Sequence, residues 1–96
     1  MNEAIDISER NDPTLIPLLI MQELKDYVEH GVPTGCFLRA VISNNLQDAV
    51  GHADPHNIRI LRSICGYIWH YFPHDAHGSR EIYKNWIAAK KEEVTV

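Results

Sequence analysis

The sequence has few of the features that would assign it to a common functional class. Its only cysteines, Cys36 and Cys65, stand in no metal-binding spacing, so neither a zinc finger nor a disulfide framework is expected. No apolar run is long enough to span a bilayer, and the acidic, polar start is unlike a signal peptide. The net charge of −4 argues against nucleic acid as a partner. A cytoplasmic protein without membrane contact is therefore expected.

No segment alternates polar and apolar residues with a period of two, and no segment repeats. Apolar residues instead recur at helical spacing in five segments joined by short linkers. This pattern predicts an all-α fold, a compact bundle of four to five helices with a long fourth helix as its spine. A single domain is expected over residues 14–91, between a frayed arm at 1–13 and a frayed tail at 92–96.

Capping residues predict where the helices begin and end. Thr14 and Thr34 are expected to cap the first two helices, and Gly31 to end the first in a left-handed conformation. Asn44 and Asn45 are expected to form a corner between two short helices, because asparagine tolerates a positive φ and also caps helices well. Two further helix starts are predicted from capping chemistry, at Asp54 and Ser79.

Helical spacing also predicts which side chains are buried. Leu19 is expected to widen the core face of the first helix, and Leu46 and Val50 to contribute to that of the third. Trp69 and Trp86 are expected to be core or interface anchors. The predicted core arc of the fourth helix comprises Ile58, Leu61, Ile64, Cys65, Ile68 and Phe72.

Residues 30–41 read His-Gly-x-Pro-x-Gly-x-Phe-Leu-x-Ala-Val and are followed by Asn44, Leu46, Ala53, Asp54, Asn57, Gly78, Ser79, Glu81 and Trp86. This pattern resembles a group of small helical proteins, of no assigned activity, that bacteriophages and prophages encode. Asn45 and His70 depart from it, where aspartate and asparagine are expected. The resemblance implies a phage-type origin, a location in the host cell, and an accessory role through binding host or anti-phage defence proteins.

The loop before the second helix is stiffened by a proline between glycines. The backbone amides from Gly35 and Cys36 onward begin that helix and could hold an anion, with Arg39 one turn later. Alternatively, the loop is only a corner whose glycines allow close packing. Cys36 could also act as a thiolate activated by His30, or be a structural cysteine.

The polar face of the fourth helix is a second candidate for ligand or partner binding. Arginine and tyrosine are favoured at binding hot spots, and arginine also pairs with phosphate. The alternative is a helix face that only contacts solvent. The residues concerned are His56, Arg59, Ser63, Tyr67 and His70.

Histidine is frequent after the fourth helix, which raises the question of a metal. Imidazole and carboxylate groups can bind zinc, yet Pro73 interrupts the helix and no metal motif accompanies these residues. No metal or other cofactor is therefore assigned. The residues nearest to a metal site are His70, His74, Asp75 and His77.

These observations predict a phage or prophage accessory protein that works by non-covalent binding to a host or defence protein. A small homo-oligomer is expected, because the short chain carries more aromatic residues than one small core would hide. The alternative is an oligomeric module that sequesters an anionic small molecule, such as a signalling nucleotide, through Gly35 with Arg39 or Arg59. No residue is assigned a catalytic role, and enzymatic activity is not expected. A metal-dependent enzyme based on the histidine-rich loop is a third alternative.

Overall fold

The computed structural model describes residues 16–95, and the predicted arm at residues 1–13 lies outside this part. Over the described residues the chain forms five α-helices and one 3₁₀ turn, with no strand. They are α1 (Leu18–His30), α2 (Cys36–Ile42), α3 (Leu46–His52), α4 (Pro55–Tyr71), the 3₁₀ turn (His74–Ala76) and α5 (Arg80–Thr95). The predicted all-α fold with a long fourth helix is confirmed. The fifth helix continues to Thr95, past its predicted end.

Three predicted helix starts are confirmed by their capping hydrogen bonds. The side-chain oxygens of Asn45, Asp54 and Ser79 each accept a bond from the backbone amide three residues later, at 3.1, 2.7 and 3.1 Å. Each bond satisfies an amide that has no partner within its own helix. Asn44 makes the expected corner before α3 with a φ of 61°.

The predicted cap at Thr34 is wrong, and the one at Thr14 cannot be compared with the described residues. The first helix begins at Leu18 after Pro17, and Thr14 lies outside the described residues. The second helix follows Gly35 and has no capping side chain, because the Thr34 hydroxyl has other partners. It donates to the Gly35 carbonyl at 3.2 Å and lies 3.1 Å from the hydroxyl of Tyr83. A long-range contact with α5 therefore replaces the expected local cap.

Tyr27 lies at the centre of the core and is fully buried. Its ring stacks on Tyr83 at 5.1 Å between centroids and on Phe72 at 6.0 Å. Its hydroxyl donates to the Ala76 carbonyl at 2.8 Å, and its own carbonyl accepts from Trp86 Nε1 at 3.0 Å. One residue thus connects α1 to the 3₁₀ turn and to α5. Offset aromatic pairs of this kind add roughly 0.5–1.5 kcal/mol beyond their buried area.

Gly31 ends α1 in the left-handed conformation predicted for it, with a φ of 68°. A Cβ atom at this position would lie 2.5 Å from Lys90 Cβ and 3.3 Å from the Ile87 carbonyl oxygen. Glycine is therefore needed both for the backbone conformation and for the close approach of α5.

The buried face of α4 differs from the predicted arc. Ile64, Ile68 and Phe72 are buried as expected and Leu61 is half-buried, but Ile58 and Cys65 are exposed, and Ile60 and Ser63 are buried in their place. At 100° per residue the face is rotated by roughly 70° from the prediction. The rotation places Ser63 in the core and Cys65 at the surface.

Several apolar side chains predicted to be buried are exposed. Leu19 on α1 and both Leu46 and Val50 on α3 face solvent, so Ala49 is the buried residue of α3. Trp69 on α4 is exposed as well, whereas Trp86 is half-buried and hydrogen-bonded. Exposed apolar side chains of this kind indicate surfaces at which a protein can bind another molecule.

Candidate functional site

The amide of Gly35, expected to hold an anion, already has a partner within the chain. It donates to Glu23 Oε2 at 3.1 Å, so a carboxylate of α1 occupies the place of the expected ligand. The amide of Thr34 is also used, because it donates to the Tyr83 hydroxyl at 2.9 Å. The loop is thus held to α1 and α5, and the corner interpretation explains its glycines and its proline better than the anion interpretation.

Cys36 and His30 are not brought together as a nucleophile and its base. Cys36 is exposed and accepts a weak hydrogen bond from Arg39 Nη2 at 3.7 Å. His30 lies 3.8 Å from a carboxylate oxygen of Glu29, on the exposed end of α1. Of the residues predicted in this region, only Cys36 and Arg39 share a site.

The predicted polar face of α4 is split by the rotation of the helix. His56, Arg59 and His70 are exposed, Tyr67 is half-buried, and Ser63 is buried in the core. Ser63 therefore does not belong to the exposed face of α4. The centroid of the Tyr67 ring lies 5.1 Å from that of Tyr71. Tyr71 was not among the residues predicted for the polar face of α4.

A cleft of about 810 Å³ opens beside the other side of α4. Its walls come from the end of α2, the second half of α4, the 3₁₀ turn and the start of α5, so four elements form it together. Most of the lining is apolar, with imidazole, carboxyl and amide groups around it. The lining residues are Val41, Ile42, Asn44, Cys65, Ile68, Trp69, Phe72, His74, Asp75, His77, Gly78 and Ile82.

Trp69 stands out among these residues because 75% of its surface is exposed although its ring borders an apolar cleft. Helical spacing predicted it as a core or interface anchor, and its exposure excludes the core. Tryptophan is among the residues most enriched at binding hot spots. The cleft edge at Trp69 is therefore the part of the described surface most suited to contact another molecule.

The histidine-rich segment contributes to the cleft without forming a metal site. His74, Asp75 and His77 line it, whereas His70 does not. Within residues 16–95 no group of three or more histidine, cysteine or acidic side chains is arranged to hold a metal ion. Burial, and then the nearby His74, lowers the pKa of His77, which favours its neutral form at pH 7.

Cys65 lies on the cleft wall, although helical spacing predicted that it would be buried in the core. Although the residue as a whole is exposed, partial desolvation of its thiol raises its pKa from the ordinary value of 9.0. The thiolate is the nucleophilic form, so a thiol that keeps its proton is poorly suited to covalent catalysis. The cleft is thus better suited to binding than to chemistry at this residue.

A second, smaller pocket of about 130 Å³ lies between α2, α3 and the start of α5. We refer to it as the Arg39 pocket, and it is lined by Cys36, Arg39, Ala40, Ser43, Asn45, Asp48, His52 and Arg80. Only Cys36 and Arg39 were predicted as site residues. Arg80 and His52 were missed because they are distant in sequence and match no motif.

Comparison with protein-family models, curated proteins and solved structures found no match. Among the described residues, no helix is both long enough and apolar enough to cross a membrane.

Proposed function

We propose that this protein acts by non-covalent binding of another protein, and that Trp69 anchors the contact. The observation that carries the proposal is the exposure of this large side chain at the edge of an apolar cleft. A tryptophan in water forgoes the stabilisation that burying its ring would give, which is on the order of 2–3 kcal/mol. A partner that covered the ring would recover this free energy.

The shape of the cleft suits an apolar side chain or a short helix from the partner. Hot-spot residues usually insert into pockets near the centre of an interface, with polar groups at its rim. Here Val41, Ile68 and Ile82 provide an apolar floor, while His74 and Asp75 are exposed polar groups that could form the rim. The partner is expected to bring a complementary apolar anchor.

The identity of the partner follows from the sequence resemblance. A phage or prophage accessory protein that binds without catalysis would act on a host or anti-phage defence protein. Trp69 and the residues around it would then provide the affinity, and the partner's own activity would be blocked or redirected. The resemblance to phage-encoded proteins supports this step, and the cleft offers a suitable surface for such a partner.

Affinity capture from a host lysate tests the proposal when three forms of the protein are compared. Wild type, Trp69→Ala and Leu46→Ala are immobilised at equal density, and the bound proteins are identified by mass spectrometry. Leu46 is the matched control, because it is exposed on α3 and lines neither the cleft nor the Arg39 pocket. A host protein retained by wild type and Leu46→Ala but lost from Trp69→Ala is the expected result. The same set on all three forms contradicts the proposal.

Self-association is proposed for the opposite side of α4. Tyr71 is exposed over 63% of its surface and lies about 200° around the helix from Trp69, next to Tyr67 and His70. A contact between copies at this tyrosine pair would leave the cleft free for a partner. It would also cover aromatic surface that the monomer leaves in water.

The second candidate function is the sequestering of an anionic small molecule. The observation in its favour is the Arg39 pocket, which two arginines line, neither of them in a salt bridge within the described part of the chain. Arg39 was expected among the binding residues, whereas Arg80 takes the place of the Gly35 amide. A thermal-shift panel of nucleotides tests this function directly. Stabilisation by at least one nucleotide is expected, and no shift with any of them would contradict it.

A further inference from the structure

We propose that the Arg39 pocket binds a phosphate group. This inference rests on the second candidate function, because it names the site and the chemical group through which an anionic molecule would be held. It does not depend on the cleft or on Trp69, which lie on a different part of the surface.

The charges in the pocket favour an anion. Arg39 on α2 and Arg80 at the start of α5 both line it, and His52 adds an imidazole. Asp48 is the one acidic residue of the lining, and its carboxylate already accepts a hydrogen bond from Asn45 Nδ2 at 2.9 Å. The lining thus carries two arginines and one aspartate. An anion bound in the pocket would be attracted by the two positive charges.

The number and origin of the donors favour phosphate over a carboxylate. One guanidinium group can satisfy both oxygens of a carboxylate in a bidentate pair. Two guanidinium groups on different helices suit a tetrahedral anion, which presents its oxygens in several directions. The volume of about 130 Å³ is sufficient for such a group, because one water molecule needs only roughly 10–15 Å³ measured in the same way.

Ser43 brings a hydroxyl without a hydrogen-bond partner to the wall of the pocket. Its hydroxyl oxygen is inaccessible to solvent and has no hydrogen-bond partner, although the residue lines the pocket. Buried hydroxyls are nearly always paired, because an unpaired one is destabilising. Rotation about χ1 into another staggered position would allow the hydroxyl to donate to a phosphate oxygen.

Isothermal titration calorimetry tests the proposal with inorganic phosphate, adenosine monophosphate and cyclic adenosine monophosphate, all in chloride buffer. Wild type is compared with Arg39→Gln, Arg80→Gln, Arg59→Gln and Arg62→Gln. Arg62 is the matched control, because it is an exposed arginine that lines neither pocket. Each pocket variant should bind the phosphate probe at least about tenfold more weakly, as expected for the loss of a charge-assisted hydrogen bond. The Arg62→Gln variant should bind like wild type.

The outcomes separate this proposal from the function on which it rests. If a nucleotide binds and only Arg59→Gln weakens it, sequestering stands and the Arg39 pocket is the wrong site. If none of the three probes binds, the phosphate proposal is overturned, and the thermal-shift panel of other nucleotides decides the second candidate function. Tighter binding of inorganic phosphate than of either nucleotide would support the site and identify free phosphate as its ligand. The reverse order would support the site and identify a nucleotide.

The Ser43→Ala variant distinguishes a serine that binds phosphate from one that only stabilises the fold. Removing an unpaired hydroxyl should leave the melting temperature without phosphate unchanged or slightly raised. The same substitution should weaken phosphate binding severalfold. A lower melting temperature with unchanged phosphate affinity would show that the hydroxyl has a structural partner, and would remove Ser43 from the site.

Discussion

The hydroxyl of Tyr83 accepts a hydrogen bond from the backbone amide of Thr34 at 2.9 Å. This contact joins the loop before α2 to α5 across 49 positions of sequence, and the hydroxyl of Thr34 lies 3.1 Å from the same tyrosine oxygen. The loop that was the first candidate for an active segment is therefore part of the core's polar framework. Its residues should affect stability more than binding.

Tyr83→Phe should lower the free energy of unfolding by about 1–2 kcal/mol, because the amide of the half-buried Thr34 loses its partner. For a domain of this size that corresponds to a drop in melting temperature of roughly 4–16 °C. Thermal denaturation followed by circular dichroism measures it. Tyr71→Phe is the control, since Tyr71 is exposed, and it should melt like wild type. Equal melting temperatures for the Tyr83→Phe and Tyr71→Phe variants would contradict the role given to Tyr83.

Gly31→Ala should destabilise the protein by at least about 2 kcal/mol, for two reasons. The new Cβ would lie 2.5 Å from Lys90 Cβ, and the left-handed backbone itself costs alanine about 1–2 kcal/mol. Gly51→Ala is the matched control, because Gly51 lies within α3 with no atom near the added Cβ. It should stabilise by about 0.5–1 kcal/mol through helix propensity. Urea denaturation of both variants measures these opposite changes in the free energy of unfolding. A lower free energy of unfolding for both variants would contradict the role given to the contact with Lys90.

Stability should fall at alkaline pH through Tyr27. Burial, and then the nearby Tyr83, raises the pKa of Tyr27 above its ordinary value of 10.0. The unfolded chain therefore loses this proton first as the pH rises above about 10, which favours unfolding by up to about 1.4 kcal/mol per pH unit. Tyr27→Phe lacks the ionisable group but also loses the bond to the Ala76 carbonyl.

The variant should accordingly be less stable than wild type at pH 9, and the difference should shrink at pH 11. Urea denaturation at the two pH values measures the change. Tyr67, whose pKa burial also raises, is present in both proteins and so cancels in the comparison. A difference that stays constant from pH 9 to pH 11 would contradict the assignment.

Tyr71→Ala should weaken self-association, because it removes an exposed ring from the proposed contact between copies. Light scattering over a micromolar concentration series should find wild type assembled and the variant shifted toward the monomer. Leu18→Ala removes a comparably exposed apolar side chain at the start of α1 and should leave assembly unchanged. A wild type that is monomeric at all concentrations would contradict a homo-oligomer.

Local chemistry predicted much of the fold. Asp54 and Ser79 cap their helices with short-range hydrogen bonds, and Gly31 ends α1 in the conformation its lack of a side chain allows. These interactions involve residues within one turn of each other, so the sequence pattern contains them. Thr34 failed as a cap because its hydroxyl lies against Tyr83, a residue far along the chain.

The rotation of α4 could not be predicted, because helical spacing defines an apolar arc only coarsely. Ile58 and Ile60 are similar side chains on nearly opposite sides of the helix, and only the tertiary packing, which buries Ile60, decides between them. The candidate sites show the same limit. Glu23 reaches the amide of Gly35 from another helix, and Arg80 reaches the pocket of Arg39 from a third, so neither partner is visible in local spacing.

The central claim is that Trp69 anchors the contact with a partner protein. Its most direct test is calorimetric titration of the host protein captured by wild type, measured with wild type, Trp69→Ala and Leu46→Ala. Loss of a hot spot worth about 2 kcal/mol predicts a dissociation constant roughly 30-fold higher for Trp69→Ala and unchanged for Leu46→Ala. A dissociation constant that is the same for Trp69→Ala and wild type would contradict the claim.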